Sequence, residues 1–180
     1  MDYYISDHVA LETIHGDVAG YASKRNRDLW ATLLAAGKRV RTYGSTDTHA
    51  AASDAGQTTL YAKNRHSRDF FQAIRQGNCT AGAVGIQMAI GSTPMGGVCP
   101  YEEGLTLQLR VDDFHKAWEK DAVYRLHIYT DKGLAYATEF VGDTPLQMAL
   151  AVEKRAFYRA EITNETDAHL AALSNPIWLD

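Results

Sequence analysis

The residues best suited to chemistry lie in one polar stretch, residues 44–50, which follows a short apolar strand pattern at residues 39–43. Asp47 and His49 are two positions apart in this stretch. In extended chain such side chains point to the same side, because side chains alternate faces with a period of two. A carboxylate and an imidazole so placed can bind a metal ion, although an isolated Asp-x-His also occurs in ordinary surface turns.

A second polar pair belongs to an apolar strand pattern over residues 9–14: Glu12 lies within it, and His15 follows it directly. A carboxylate in a strand covered on both faces is costly to desolvate unless a metal ion, a cation or hydrogen-bond donors meet it. A position at a strand edge in water, or an arginine partner, would also accommodate Glu12. His15 precedes Gly16 in a turn, where hydrogen bonding or exposure is more common than metal ligation.

The segment between the two polar pairs predicts how they are positioned. Residues 23–36 have helical spacing of apolar side chains, and Gly37 is a suitable stop before the strand at residues 39–43. Strand, helix and strand in this order predict a βαβ unit with parallel strands that end at the same edge of a sheet. Four side chains are then expected to converge there, in a mix that suits zinc, manganese or iron: Glu12, His15, Asp47 and His49.

A second helix is predicted over residues 68–76, with Ser67 as its cap and Gly77 as its stop. Its apolar stripe is expected to lie in the core and consists of Phe70, Phe71 and Ile74. A local basic cluster precedes or opens the helix: Lys63, Arg65, His66 and Arg68. This cluster either meets an anionic substrate group or is a solvated loop.

After residue 85 the pattern becomes one of short strands separated by turns. Residues 105–111 alternate between apolar and polar side chains, and Asp131-Lys132-Gly133 is a hairpin-type turn. The predicted fold class is therefore α+β: a partial parallel α/β region over residues 1–84, followed by an antiparallel β-sandwich over residues 85–180.

Composition narrows the function classes. The 180 residues are 46% hydrophobic with a formal net charge of -4 and no lysine or arginine block, which disfavours nucleic acid and anionic membranes as partners. Cys79 and Cys99 are far apart, so reduced, partly buried thiols are expected rather than a disulfide or a thiolate zinc site. The N-terminus lacks the features of a signal peptide, so a cytoplasmic location is expected.

Several short motifs occur in one order along the chain: Leu11-Glu12, the segment at 37–40 (G-K-R-V), residues 44–49 (G-S-T-D-T-H), residues 73–77 (A-I-R-Q-G) and residues 173–178 (L-S-N-P-I-W). As an ordered set they resemble the C-terminal part of the PHP (polymerase and histidinol phosphatase) superfamily, in its carbaryl-hydrolase-like branch. The resemblance implies the last strands of a distorted barrel whose rim binds two or three divalent metal ions.

Residue by residue, Asp47 and His49 match the (S/T)-D-x-H motif that supplies metal ligands in that superfamily, and Glu12 matches an acidic strand position. No role passes to His15. Relatives hydrolyse phosphoesters or other small-molecule ester and amide bonds through a metal-bound water. Relatives also begin with an H-x-H motif, which none of the seven histidines here forms. The expectation is a C-terminal fragment, a natural truncation or half of a split protein.

These observations lead to two functional expectations. The first is the C-terminal portion of a metal-dependent phosphoesterase or related hydrolase, inactive or weakly active alone because a site of Asp47, His49 and Glu12 binds metal weakly or not at all. The second is a non-catalytic β-sandwich binding or interaction module with a vestigial metal rim. An exposed barrel edge would favour a second copy of the chain or a missing N-terminal half as partner.

Overall fold

The structure, a computed structural model, describes residues 10–16, 21–46, 56–82, 84–112, 121–142, 145–165 and 169–180. Within these ranges the chain forms two helices and fourteen strands. The helices are α1 (Tyr21–Ala35) and α2 (Ser67–Gln76), and the strands are β1 (Ala10–His15), β2 (Arg41–Ser45), β3 (Thr58–Leu60), β4 (Cys79–Gly82), β5 (Gly85–Ile90), β6 (Thr93–Pro94), β7 (Val98–Cys99), β8 (Thr106–Asp112), β9 (Val123–Thr130), β10 (Gly133–Val141), β11 (Leu146–Ala151), β12 (Phe157–Asn164), β13 (His169–Ser174) and β14 (Ile177–Leu179).

Two sheets form the predicted β-sandwich. The larger sheet has the order β10-β9-β12-β13-β4-β3; in addition β14 pairs with β12, and β7 pairs with β14. The smaller sheet has the order β11-β8-β5-β6. Alternation along the strands directs one set of side chains between the sheets: Leu107, Leu109 and Val111 from β8 meet the cluster that contains Leu126 and Ile128 from β9. This shared apolar core is what holds the two sheets together.

The predicted fold class is wrong. Strands occupy 52% and helices 17% of the described residues, and most strand pairs are antiparallel. Two strand pairs in the described ranges are parallel. One is the short pair β7–β14 in the larger sheet, and the other is β1–β2, which forms a two-stranded sheet of its own instead of the end of a barrel. Strand β3, assigned from sequence to the α/β region, pairs antiparallel with β4 in the larger sandwich sheet. The described chain is a predominantly antiparallel β protein.

The β1–α1–β2 segment is attached to the outer face of the larger sheet by a second apolar cluster. Trp30 is fully buried in this cluster together with Phe157 and Leu173. The indole Nε1 donates to Val40 O at 2.8 Å, which satisfies its one polar group. Arg159 of β12 places its guanidinium carbon 5.0 Å from the centroid of the Trp30 ring. A cation–π contact therefore adds to the apolar packing between α1 and the sheet.

Helix α2 differs from its prediction in two respects. Ser67 is the first helical residue and His66 occupies the cap position without a side-chain cap hydrogen bond. The stripe expected in the core is largely exposed, with Phe71 64% and Phe70 39% accessible, so that prediction is wrong. Only Ala73 of this helix is buried, because the contacts of α2 with the strands are few: it packs against β3, and Ile74 O accepts a hydrogen bond from the Tyr43 hydroxyl of β2.

The segment that contains Asn175, Ile177 and Trp178 is buried, so the C-terminal end of the chain is held by packing. Neither helix in the described ranges is long and apolar enough to cross a membrane.

Candidate functional site

In the described part of the chain, convergent polar groups lie at the ends of the parallel strands β1 and β2 and on the open face of the smaller sheet. At the first, β1 and β2 align His15 with Ser45, and the register shifts between Glu12 and Ile14. The shift places an extra residue in β1, so Glu12 and His15, which regular alternation would separate, come to one side. The structure thus brings together two of the four residues predicted to converge.

The carboxylate of Glu12 is the centre of this first cluster. One oxygen lies 3.0 Å from His15 Nδ1, and the other accepts a hydrogen bond from the Ser45 hydroxyl. Asn26 Nδ2 donates to the backbone oxygen of Glu12 at 2.8 Å, which fixes the strand against α1. The Glu12 side chain is also 40% exposed. Donors and water therefore meet the carboxylate, which needs no arginine partner.

The predicted metal ligands Asp47 and His49 lie outside the described residues. Within the described ranges, no group of three or more His, Cys, Asp or Glu side chains converges. Glu12 and His15 alone supply one carboxylate oxygen donor and one imidazole nitrogen, fewer than the three protein ligands usual for catalytic zinc. The metal role of Asp47, His49 and Glu12 remains a prediction.

The second place is a groove of about 630 Å³ on the outer face of the smaller sheet. The registers align Gln87 of β5 with Arg110 of β8, and Arg110 with Gln147 of β11. This row crosses three strands on the face opposite the core, because the residues on either side of Arg110, Leu109 and Val111, point inward. We call the surface formed by Gln87, Gln108, Arg110 and Gln147 the amide groove.

Small residues make the amide groove open. The next row along the strands places Gln108 between Ala89 and Ala149, and Pro94 of β6 borders Ala89. Alanine side chains leave the floor low beside the longer amides. A ligand can therefore approach the sheet between the glutamine side chains.

The groove is also close to electrically neutral. Arg110 Nε donates to Asp112 Oδ1 at 2.7 Å, so its positive charge has a carboxylate partner. Apart from Arg110, no described lining residue carries a charge at neutral pH. The lining residues that the structure describes are Asn78, Gln87, Met88, Ala89, Pro94, Gln108, Leu109, Arg110, Gln147, Met148 and Ala149.

The sequence prediction did not include this groove. Its signal was present in the alternation of residues 106–112, whose outward positions are Thr106, Gln108 and Arg110. The pattern shows which residues face outward, but it does not say that β5 and β11 flank β8. That pairing is what places the glutamines side by side.

Both cysteines are free and buried, as predicted. Burial raises the pKa of the Cys79 thiol to about 12, with only a partial opposing effect from the hydrogen bond with Asn175. The thiol is therefore protonated at neutral pH and is a poor nucleophile.

Together, the described elements define an antiparallel β-sandwich protein that carries a small β1–α1–β2 segment on the outer face of its larger sheet. No protein-family model and no curated protein matches the sequence. Among solved structures, the chain is similar to the crystal structure of the C-terminal domain of wzt, with 11% identity, a TM-score of 0.33, and coverage of 55% of this chain and 74% of that one. This likeness does not indicate a PHP barrel and assigns no function.

Proposed function

We propose that this chain is a non-catalytic β-sandwich binding module whose amide groove takes a neutral, hydroxyl-rich ligand of the saccharide class. The observation that carries the proposal is the row of Gln87, Arg110 and Gln147 across three strands, beside Gln108 in the next row.

The chemistry of the side chains favours this ligand class. Each glutamine offers two N–H donors and a carbonyl acceptor, which suits hydroxyl groups that both donate and accept. The Arg110–Asp112 pair leaves the surface without a large net charge, so a neutral ligand pays no electrostatic penalty there. The size of the groove lies in the range of small-molecule sites.

The same lining argues for binding without catalysis. Among its described residues there is no His, Cys, Asp, Glu, Lys, Ser, Thr or Tyr. Proton transfer near neutral pH needs a group that titrates there, and covalent catalysis needs a nucleophile. Arg110 supplies neither, because guanidinium stays protonated in proteins. The described part of the groove can therefore hold a ligand but offers no side chain that would transform it.

The test is to present the purified protein to an array of neutral and acidic oligosaccharides and to measure hits by calorimetry. Gln108→Ala is expected to weaken binding about tenfold, because polar groups of the ligand lose their partner. Gln72→Ala is the matched control: it removes the amide of an exposed glutamine on α2, outside the amide groove, and should leave affinity unchanged. Binding only to acidic sugars or peptides, or equal effects of both variants, would contradict the proposal.

A second candidate function rests on the strand-end cluster. The bulge in β1 brings Glu12 and His15 to one side, next to Ser45 at the end of β2, and Asp47 and His49 follow Ser45 by two and four residues in the sequence. This is the place where the PHP resemblance puts a metal rim. Elemental mass spectrometry after purification without chelator tests it: zinc, manganese or iron should be present in the wild type and lost in the Asp47→Ala, His49→Ala double variant. Metal absent from both, or equal in both, would refute the candidate.

A further inference from the structure

Strand β10 is the outermost strand of the larger sheet: it pairs with β9 on one side, and no described strand pairs with its other side. With nine residues, Gly133–Val141, it is the longest strand in the described part of the chain. All nine residues are exposed or half-buried. A long exposed edge presents a row of N–H and C=O groups that can pair with another chain.

Hydrogen bonds within the larger sheet show which amides of β10 face outward. Ala160 N of β12 donates to the Ser174 hydroxyl of β13, so the N–H and C=O of the next residue, Glu161, point the other way, towards β9. Glu161 is aligned with His127, which is in turn aligned with Ala137. Because successive residues of a strand direct these groups to opposite sides, the N–H and C=O of Ala137 point away from β9. The same holds for every second residue from there to the end of β10.

Strand β10 has few of the features that keep sheet edges apart, which include lysine, proline and bulges. It contains one charged residue, Glu139, whose carboxylate is paired within the chain to Arg125 of β9. Its register shift lies near the turn, and residues 136–141 pair regularly with β9. By contrast, the edge strand β6 of the smaller sheet has only two residues, one of which is Pro94. The regular part of β10 is therefore open to a further strand.

Apolar side chains lie uncovered along the same edge. Tyr136 is aligned with Ile128, which is fully buried, so the tyrosine is on the core-facing side of the sheet and is nevertheless 37% exposed. Leu134 is 56% and Val141 47% exposed. Of the eight exposed large hydrophobic side chains in the described residues, three belong to β10. The edge thus offers apolar surface as well as hydrogen-bonding groups.

The charge pattern of β10 suits pairing with an identical strand. In an antiparallel pair about a two-fold axis, residues at equal distances on either side of the axis lie opposite each other. With the axis at residue 136, 137 or 138, Glu139 lies opposite Gly133, Ala135 or Ala137 of the copy, none of which is charged. Like charges directly opposite each other would destabilise the pair, and these three registers avoid them.

We infer that β10 pairs antiparallel with β10 of a second copy of the chain, so that the two larger sheets join into one continuous sheet. Such an interface uses the same surface of both copies, and it closes after two chains. The inference does not depend on the amide groove, which lies on the smaller sheet.

Sedimentation equilibrium of the full chain from about 1 to about 200 µM tests the association, because a small interface of this kind is expected to dissociate in the micromolar range. The average mass should rise from that of one chain to that of two and no further. The mass of a single chain at the highest concentration, or growth beyond two chains, would overturn the inference.

Hydrogen exchange at the two ends of this concentration range identifies the strand without any substitution. The outward amides of Ala137 and Glu139 should exchange at least about tenfold more slowly at the high concentration. The amides of Thr138 and Phe140, which point towards β9, should be equally protected at both. Unchanged exchange of Ala137 and Glu139 would overturn the inference even if a dimer forms.

A pair of variants at one position supplies the second check. Ala137→Pro removes an outward N–H, which an edge strand tolerates, and should raise the dimer dissociation constant at least about tenfold. Ala137→Thr keeps the N–H and suits a strand, so this matched control should leave the average mass unchanged. Equal dimerisation of the two variants would overturn the inference. If the proline variant shows no melting transition, the exchange comparison in the wild type decides.

Discussion

The replacement of Asn175 by alanine is expected to destabilise the protein more than any exposed polar substitution, because one buried amide joins the two-stranded sheet to the sandwich. Asn175 is fully buried. Its Oδ1 accepts from Thr42 N at 2.8 Å, and its Nδ2 lies 3.0 Å from Thr42 O and 3.2 Å from Cys79 O. The side chain thus pairs with β2 as a neighbouring strand would.

The magnitude follows from the groups left behind. Alanine removes the hydrogen-bond acceptor of the buried Thr42 N–H. It also removes a hydrogen-bond donor from two buried carbonyls, Thr42 O and Cys79 O. An unsatisfied buried group costs about 1–3 kcal/mol, so we expect a loss of about 3 kcal/mol in the free energy of unfolding. In a chain of this length that corresponds to a fall of roughly 6–12 °C in Tm.

Urea unfolding followed by tryptophan fluorescence measures this loss. Asn64→Ala is the matched control: Asn64 is exposed and donates to Asp69 at 3.1 Å, and its removal should change stability by less than about 0.5 kcal/mol. Hydrogen exchange gives a local check, since the Thr42 amide should lose protection in Asn175→Ala. A loss below about 1 kcal/mol with Thr42 still protected would refute the bridging role.

Two further predictions concern groups whose surroundings are fixed. Burial raises the pKa of Cys79 from about 9 to about 12, so the folded state keeps a proton that the unfolded state releases. The free energy of unfolding, measured by urea titration, should therefore fall as pH rises above about 9. A Cys79→Ala variant whose free energy of unfolding falls just as steeply with pH would contradict this. Gly77→Ala should lower stability by roughly 1–3 kcal/mol, because alanine is strained at φ +71° and its β-carbon would collide with Arg41. Gly104→Ala is the control for backbone strain alone, since Gly104 has φ +88° and open space around it. Equal losses of Tm in the two variants would exclude the collision.

The sequence predicted the sandwich strands well because their signal is local. The alternation in β8 and β9 and the turn at residues 131–133 each lie within a few residues of one another and require no knowledge of distant partners. The stop at Gly37 is equally local: its N–H donates to Leu34 O, as a left-handed glycine at a helix end does.

Predictions that needed tertiary information were less successful. The parallel strands were placed in a partial barrel, whereas Asn175 and the cluster around Trp30 attach them to the sandwich from distant parts of the chain. The stripe of Phe70 and Phe71 has helical spacing, but spacing does not reveal whether another element covers it. Strand β4, with the sequence C-T-A-G, is too short and too small to have an apolar pattern, and was missed.

The candidate sites show the same contrast between what a local pattern predicts and what depends on tertiary contacts. The polar character of Glu12 was recognised, and its contact with His15 depends on a bulge that leaves no mark in the sequence. The amide groove requires three strands in a particular order. Residue type is visible in a sequence, but adjacency between strands is a property of the folded sheet.

The central claim is that the amide groove binds the ligand, and mapping of backbone amide shifts during titration tests it most directly. The probe is the neutral oligosaccharide that gives the strongest array signal, added to isotopically labelled wild type and to the Gln87→Ala, Gln108→Ala, Gln147→Ala triple variant. We predict shifts confined to β5, β8 and β11 in the wild type and none in the triple variant at the same concentration. Shifts centred on Glu12 or α2, unchanged binding by the folded triple variant, or no binding to any neutral oligosaccharide would contradict the account.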